Sequence, residues 1–211
     1  MARYTGPKER IERRIGEKIS IKGLRSQLGK TAITKKPYPP GIHGHKPVRK
    51  LSEFGTQLKT KQKVRNIYRM LEKQFKSYVK KSIVSHRDPY SIIINSLEHR
   101  LDNVTFRMGL AQSRDQARQL VNHGHILVNG RKAGIASQQV RIGDVISVRE
   151  GSKKSAYFMN LVPQWFPKSE APSWLLVDKE KVTGTVKGMV TVQESGIAAS
   201  DLQAIIEYYS R

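Results

Sequence analysis

The chain has no cysteine among its 211 residues, so disulfides, thiolate metal sites and a cysteine nucleophile are excluded. No apolar run approaches the length of a membrane span, and no hydrophobic signal core follows Met1, so no membrane partner is expected. Apolar residues are sparse: 37% by the inclusive tally that counts Tyr. Counted with Gly in place of Tyr the figure is roughly 41%, under the usual 45–50%. A core is possible, but not across the whole length. Acidic residues are few, 17 against 39 Lys and Arg. The net charge of +22 exceeds what solubility needs and implies a polyanionic partner.

That charge is unevenly placed. Residues 1–88 carry 24 of the 39 cationic residues and 6 of the 17 acids. A basic arm therefore fronts a more neutral globular part. In the first fifty residues Gly and Pro punctuate a segment poor in core residues. Such a segment, alone in water, buries too little apolar area to offset its ordering entropy and is expected to be largely disordered. Arg10, Arg13 and Arg14 sit three and four apart around Ile11 and Ile15, which predicts a short basic helix. Pro37-Tyr38-Pro39-Pro40-Gly41 reads as a stiff extended passage.

From Thr56 to Lys81 the periodicity predicts one amphipathic helix with Val64, Ile67, Tyr68, Leu71, Phe75, Tyr78 and Val79 as its apolar stripe. Lys59, Lys61, Lys63, Arg65, Arg69, Lys73, Lys76, Lys80 and Lys81 fill the rest, with Glu72 the one acid between them. Like charges at helical spacing destabilise an isolated helix, so something negative must compensate. RNA is the expected source.

The stretch Ser96 to Val148 is the most structured in pattern. Leu97, Leu101, Val104 and Met108 recur at helical steps and Gly109 ends the run. Ser113 with Gln116 forms a capping box for a second helix, whose stripe is Ala117, Leu120 and Val121 and whose stop is Gly124. Ile126 to Val128 is a short strand, Asn129-Gly130 the favoured pair for a tight hairpin, and Gly143-Asp144 a turn into the strand Val145 to Val148. Arg100, Arg107, Arg114, Arg118, His123, Arg131 and Lys132 fall outside the apolar stripes. Guanidinium groups grip phosphate as a two-pronged fork, which makes these candidate RNA contacts. The competing reading is a solvated face in which Glu98, Asp102 and Asp115 pair locally.

Beyond residue 150 the net charge is only +1. Trp174 to Val177 and Val182 to Val186 read as strands, and Ser200 with Gln203 as the cap of a final helix presenting Leu202, Ile205 and Ile206. A near-neutral surface suits protein contact better than phosphate contact.

The run SRDQARQLVNHGHILVNGR after LEHRLDNVTFRMG resembles the small RNA-binding domain of the ribosomal protein S-four family. QLKTKQKVRNIYRMLEKQFKSY, PPGIHG, IIEYYSR and the opening ARYTGPK extend the resemblance over nearly the whole chain. Together with the patterns above it implies an α+β protein: a basic N-terminal extension (1–50), a helical domain (51–95, rejoined by a C-terminal helix at 200–211), an inserted RNA-binding domain of two helices and a small antiparallel sheet (96–150), and a β-rich protein-contact region (151–199). The implied function is structural. A primary ribosomal-RNA-binding protein of the small subunit clamps a multi-helix junction, nucleates assembly and influences accuracy through ribosomal protein S-five. Lys46, Arg49 and Lys50 match the region near the messenger RNA entry path, and Arg3 and Lys8 belong to the RNA-facing arm. Location on a cytoplasmic ribosome is expected, with an organellar one left open. Some members carry a cysteine-based zinc site near the N-terminus. This chain departs from them, and no metal or cofactor is expected.

Three decoys are weighed against that reading. His99-Arg100-Leu101-Asp102 is similar to the Arg-Leu-Asp of pseudouridine synthases, but a catalytic Asp needs a pocket and a substrate domain. Here ion pairing explains Asp102 more cheaply, and no enzyme is expected; a Ser nucleophile lacks its elbow motif. Gly23 to Thr31 is one residue too long for a phosphate-binding loop and follows no strand. His43 and His45 lack carboxylate partners for a metal. A free-standing RNA chaperone or transcript regulator would share the same charges, and a sucrose gradient separates it from a ribosomal component.

Overall fold

The computed structural model describes residues 4–47, 50–85 and 87–211; Arg3 and Arg49 lie outside them. The chain divides into two compact units, residues 1–93 with 196–211, and residues 94–195.

The first unit is helical. Its N-terminal arm holds α1 (Lys8–Ile15) and the short α2 (Leu24–Gln27) and α3 (Ala32–Lys35). Within the whole chain this arm packs on itself and on Ile67 outside it, whereas the expectation of disorder concerns the segment alone in water. Ile15, Ile19 and Ile21 form a small core with Ile11 and Ile67 packed against it. The last of these is distant in sequence, which is why composition alone understates the arm. The buried Glu12 accepts the Ile21 N–H, Glu9 accepts the Ala32 N–H, and Arg13 donates to the carbonyls of Lys36, Tyr38 and Pro39.

The single long helix expected over 56–81 is two: α4 (Glu53–Ile67), capped by the Ser52 hydroxyl, and α5 (Glu72–Val84). Between them Arg69 takes a left-handed conformation, φ +53°. Its N–H donates to the Asn66 carbonyl and that of Met70 to the Arg65 carbonyl, which closes α4 as a glycine would. No Gly or Pro marks the break. The final helix of the chain, α11 (Ala199–Ser210), packs along α4 and α5. Val64, Phe75, Val79, Leu202 and Ile205 are fully buried. Ser200 lies inside α11, whose N-cap is Ala198, so the expected Ser200 cap is not formed.

The compensation expected from RNA for the basic α4 is partly internal. Lys61 is buried, 2.8 Å from Glu72 and over the Tyr208 ring. Lys63 reaches Glu17 at 2.8 Å and Asp201 at 3.1 Å, and these acids raise its pKa against the effect of burial. Arg65 also meets Glu72. Burial opposes ionisation of Glu72, but hydrogen bonds from Lys61 and Tyr209 outweigh it and hold the carboxyl below the usual range.

α6 (Pro89–Glu98) leads into the second unit, where α7 (Leu101–Arg107) and α8 (Arg114–Asn122) pack together. The helix expected from Leu97 through Met108 is interrupted at His99 and Arg100. There the backbone is extended and bridges to Gln139, and the free N–H groups at the start of α7 donate to the carbonyls of Gln138 and Ala136. The Ser113 cap, the Gly109 stop and the Gly124 stop all form as expected. Beside the helices β1 (Ile126–Val128), β2 (Arg131–Lys132), β3 (Val145–Val148), β4 (Leu175–Asp178) and β5 (Thr183–Val186) make an antiparallel sheet in the order β2-β1-β3-β5-β4. Asn129 and Gly130 both have positive φ, the tight-hairpin geometry. Met108 packs directly on Gly184 of β5: an added Cβ would sit 2.7 Å from the Met108 methyl, which would have to move. Buried Ile126, Val128, Ile146, Val148 and Val186 line one side of the sheet. The α9 (Glu150–Lys153) turn, a helical passage over 157–168 and α10 (Val192–Ser195) complete the unit.

Candidate nucleic-acid interface

The basic residues of the second unit separate into two sets. One set is organised by two buried carboxylates. Arg100, fully buried, donates to both oxygens of Asp102 at 3.0 and 2.7 Å. Arg118, also buried, approaches the same carboxylate at 3.9 Å. Glu98 receives Arg107 at 2.9 and 2.8 Å and lies 3.9 Å from Arg114, whose Nε donates to Asn103. So Arg100 and Arg118, expected outside the core, are within it. The local-pairing alternative describes Glu98 and Asp102. Arg107 and Arg114 keep part of their surface; Arg114 lies over the Phe106 ring.

The other set is exposed: His123 at the end of α8, and Arg131 and Lys132 of β2. The hairpin geometry brings these together, because the Lys132 stem lies against Gly124. The antiparallel register places Ile126 beside Val148, so His125 and Arg149 are neighbours; the Arg149 N–H donates to the His125 carbonyl. The His123 and His125 rings are 6.0 Å apart. Desolvation, then the charges of His123 and Arg149, pushes the His125 pKa down. His125 and Arg149 were not among the residues singled out from the sequence. Their signal is the strand pairing, which no local pattern displays.

In the first unit Arg10, Arg14, Lys46, Lys50 and Lys59 are exposed, Lys8, Arg13, Lys63 and Arg65 are half-buried, and Lys61 and Arg69 are buried. The helix α5 supplies a further exposed row. Lys73, Lys76, Lys80 and Lys81 all lie on its outer side, and none has an acidic partner among the described residues. Steps of three and four residues put the first three on one face.

Exposed cations that have no acidic partner among the described residues, set over structural ion pairs, mark the class of nucleic-acid-binding proteins. Asp102 is buried against Arg100 and Arg118, which removes it from any role in synthase-type chemistry. Comparison with known proteins gives the particular family. Residues 3–105 match the family model described as "Ribosomal protein S4/S9 N-terminal domain", and residues 99–146 match "S4 domain". The chain is 44% identical to the small ribosomal subunit protein uS4 of Syntrophomonas wolfei and 44% to that of Thermotoga maritima. It is 46% identical to that of Halothermothrix orenii, each over 211 residues and the whole of both chains. The chain belongs to the uS4 family of small ribosomal subunit proteins. It is a structural protein and not an enzyme.

Proposed function

We propose that this protein is a structural component of the small ribosomal subunit that binds ribosomal RNA through the phosphate backbone. The observation that carries the reading is the set of exposed cations on both units that have no acidic partner among the described residues, on a chain of net charge +22 related over its full length to uS4 proteins. Phosphate contacts fix orientation while shape selects the RNA. In the second unit the contacts are His123, Arg131 and Lys132, with His125 and Arg149 beside them and Arg107 and Arg114 at the margin. Arg100 and Arg118 hold the helices that present them. In the first unit the contacts are the exposed Arg10, Arg14, Lys46, Lys50, Lys59 and the α5 lysines, with the half-buried Lys8 on the same arm.

The finer reading rests on the family resemblance. The protein clamps a multi-helix junction early in assembly, lies with Lys46 and Lys50 near the messenger entry path, and meets ribosomal protein S-five through its near-neutral C-terminal part, with effects on accuracy. Its location is then the ribosome. The test is a double charge reversal, Arg131→Glu with Lys132→Glu. Both side chains are exposed, so folding is retained while affinity for naked small-subunit RNA falls and its salt dependence flattens. Unchanged binding across the titration, or a protein sedimenting apart from small subunits, contradicts the proposal.

A further inference from the structure

We propose that a cleft in the helical unit takes one unstacked nucleotide of the bound RNA, with the base inward and the phosphate at the mouth. The inference rests on the RNA-binding reading above and adds a specific site to it. The cleft, about 700 Å³, lies between the N-terminal arm and α4. That size is within the range of small-ligand sites. Its apolar lining comes from Ile11 and Ile15 of α1 and from Leu51, Leu58 and Leu71. Arg13, Arg14, Lys59, Arg65 and Arg69 also line it, and no carboxylate does among the described residues.

The cations differ in what they are free to do. Arg13 is fixed by three backbone carbonyls and lies over the Tyr38 ring, 4.7 Å from its centre. Arg65 is held by Gln62 and Glu72, which leaves its buried Nε without a hydrogen-bond partner. Arg14 and Lys59 are exposed and have no acidic partner among the described residues. Leu51 and Leu71 remain 48% and 39% exposed, so a ligand that covers them gains apolar burial.

An occupant must be flat and apolar at one end and anionic at the other. An acidic peptide would carry carboxylates into the apolar part, and a neutral apolar peptide would leave Arg14 and Lys59 unanswered. A nucleotide separates its two characters in the required way: the base stacks on side chains and guanidinium planes, and the phosphate meets the lysine and arginine. Gln62 and Asn66, on the same wall, spend their Oε1 and Nδ2 on Arg65 and the Gln62 carbonyl, which leaves the Gln62 Nε2 and the Asn66 Oδ1 to serve the base edge.

Gly55 offers the test, since it lines the cleft and a Cβ there meets nothing nearer than 3.4 Å. In the full chain, Gly55→Leu fills the site without changing charge, and Gly55→Ala is the control. Binding to naked small-subunit RNA is measured across salt, with dimethyl sulfate mapping of base edges. Wild type and Gly55→Ala should protect one unpaired base. Gly55→Leu should lose that protection and about tenfold in affinity, with an unchanged salt slope. The exposed pair Arg14→Gln with Lys59→Gln, which leaves the core intact, should instead reduce the slope by roughly 1.4. Equal affinity and equal protection in Gly55→Leu would overturn the proposal while leaving RNA binding intact, whereas failure of wild type to bind would remove both. Adenosine monophosphate binding that depends on Gly55, with RNA affinity indifferent to it, would assign the cleft to a free nucleotide and also overturn the proposal.

Discussion

Arg100 and Asp102 show what a cation in an RNA-binding protein does when it faces inward. A guanidinium without exposed surface must keep its carboxylate, because removing one partner of a buried pair leaves an uncompensated charge. Asp102→Ala should therefore cost about 3–5 kcal/mol of stability, read as a shift of the urea midpoint; a loss below 1 kcal/mol would show that the pair contributes little. His125 gives a second residue-level expectation. Its folded-state pKa is depressed by burial and by His123 and Arg149, so as pH falls the unfolded chain takes up the proton first. The stability it contributes is complete above about pH 6.5 and declines as pH falls through the lower folded-state value. His125→Gln should flatten that decline in melting temperatures recorded from pH 7.5 downward, and an unchanged slope would count against it.

Among the elements, α4, α5 and α11 are held by a network centred on Glu72, which accepts from Lys61 and from the Tyr209 hydroxyl at 2.6 Å. Because its carboxyl is held below the usual range, the stability it supplies is present above about pH 4.3 and lost as pH falls through the folded-state value. Glu72→Gln should lower the denaturation midpoint at neutral pH and match wild type in strong acid; a difference that persists there would contradict the assignment. For α5, replacing Lys73, Lys76, Lys80 and Lys81 together by Gln should leave folding unaltered and reduce the RNA salt slope by roughly 3. The elements also mark where sequence is readable. Ser113, Gly109, Gly124 and Asn129-Gly130 act through their own backbone, so their helix ends and hairpin are visible locally. The break at Arg69 is not, because a residue with a Cβ accepts the left-handed state only when tertiary packing holds it there. The start of α7 depends on carbonyls of Ala136 and Gln138, and the arm depends on Ile67; both lie far along the chain. For the interface, charge disclosed its existence, but only burial separates Arg131 and Lys132 from Arg100 and Arg118.

Across the whole molecule, acids neutralise the cations that the fold needs, while Arg131, Lys132 and the α5 lysines have no acidic partner among the described residues. Glu98 and Asp102 serve the second unit in this way, and Glu17, Glu72 and Asp201 the first. The remaining positive charge lies on both units, so RNA affinity should depend on each. The most direct measurement is the affinity of the intact chain for naked small-subunit RNA over a series of salt concentrations. A protein that engages many phosphates should show log affinity falling linearly with log salt, with a slope of about −5 or steeper. A shallow slope near zero, or binding no tighter than that of a neutral protein of equal size at physiological salt, would contradict the account.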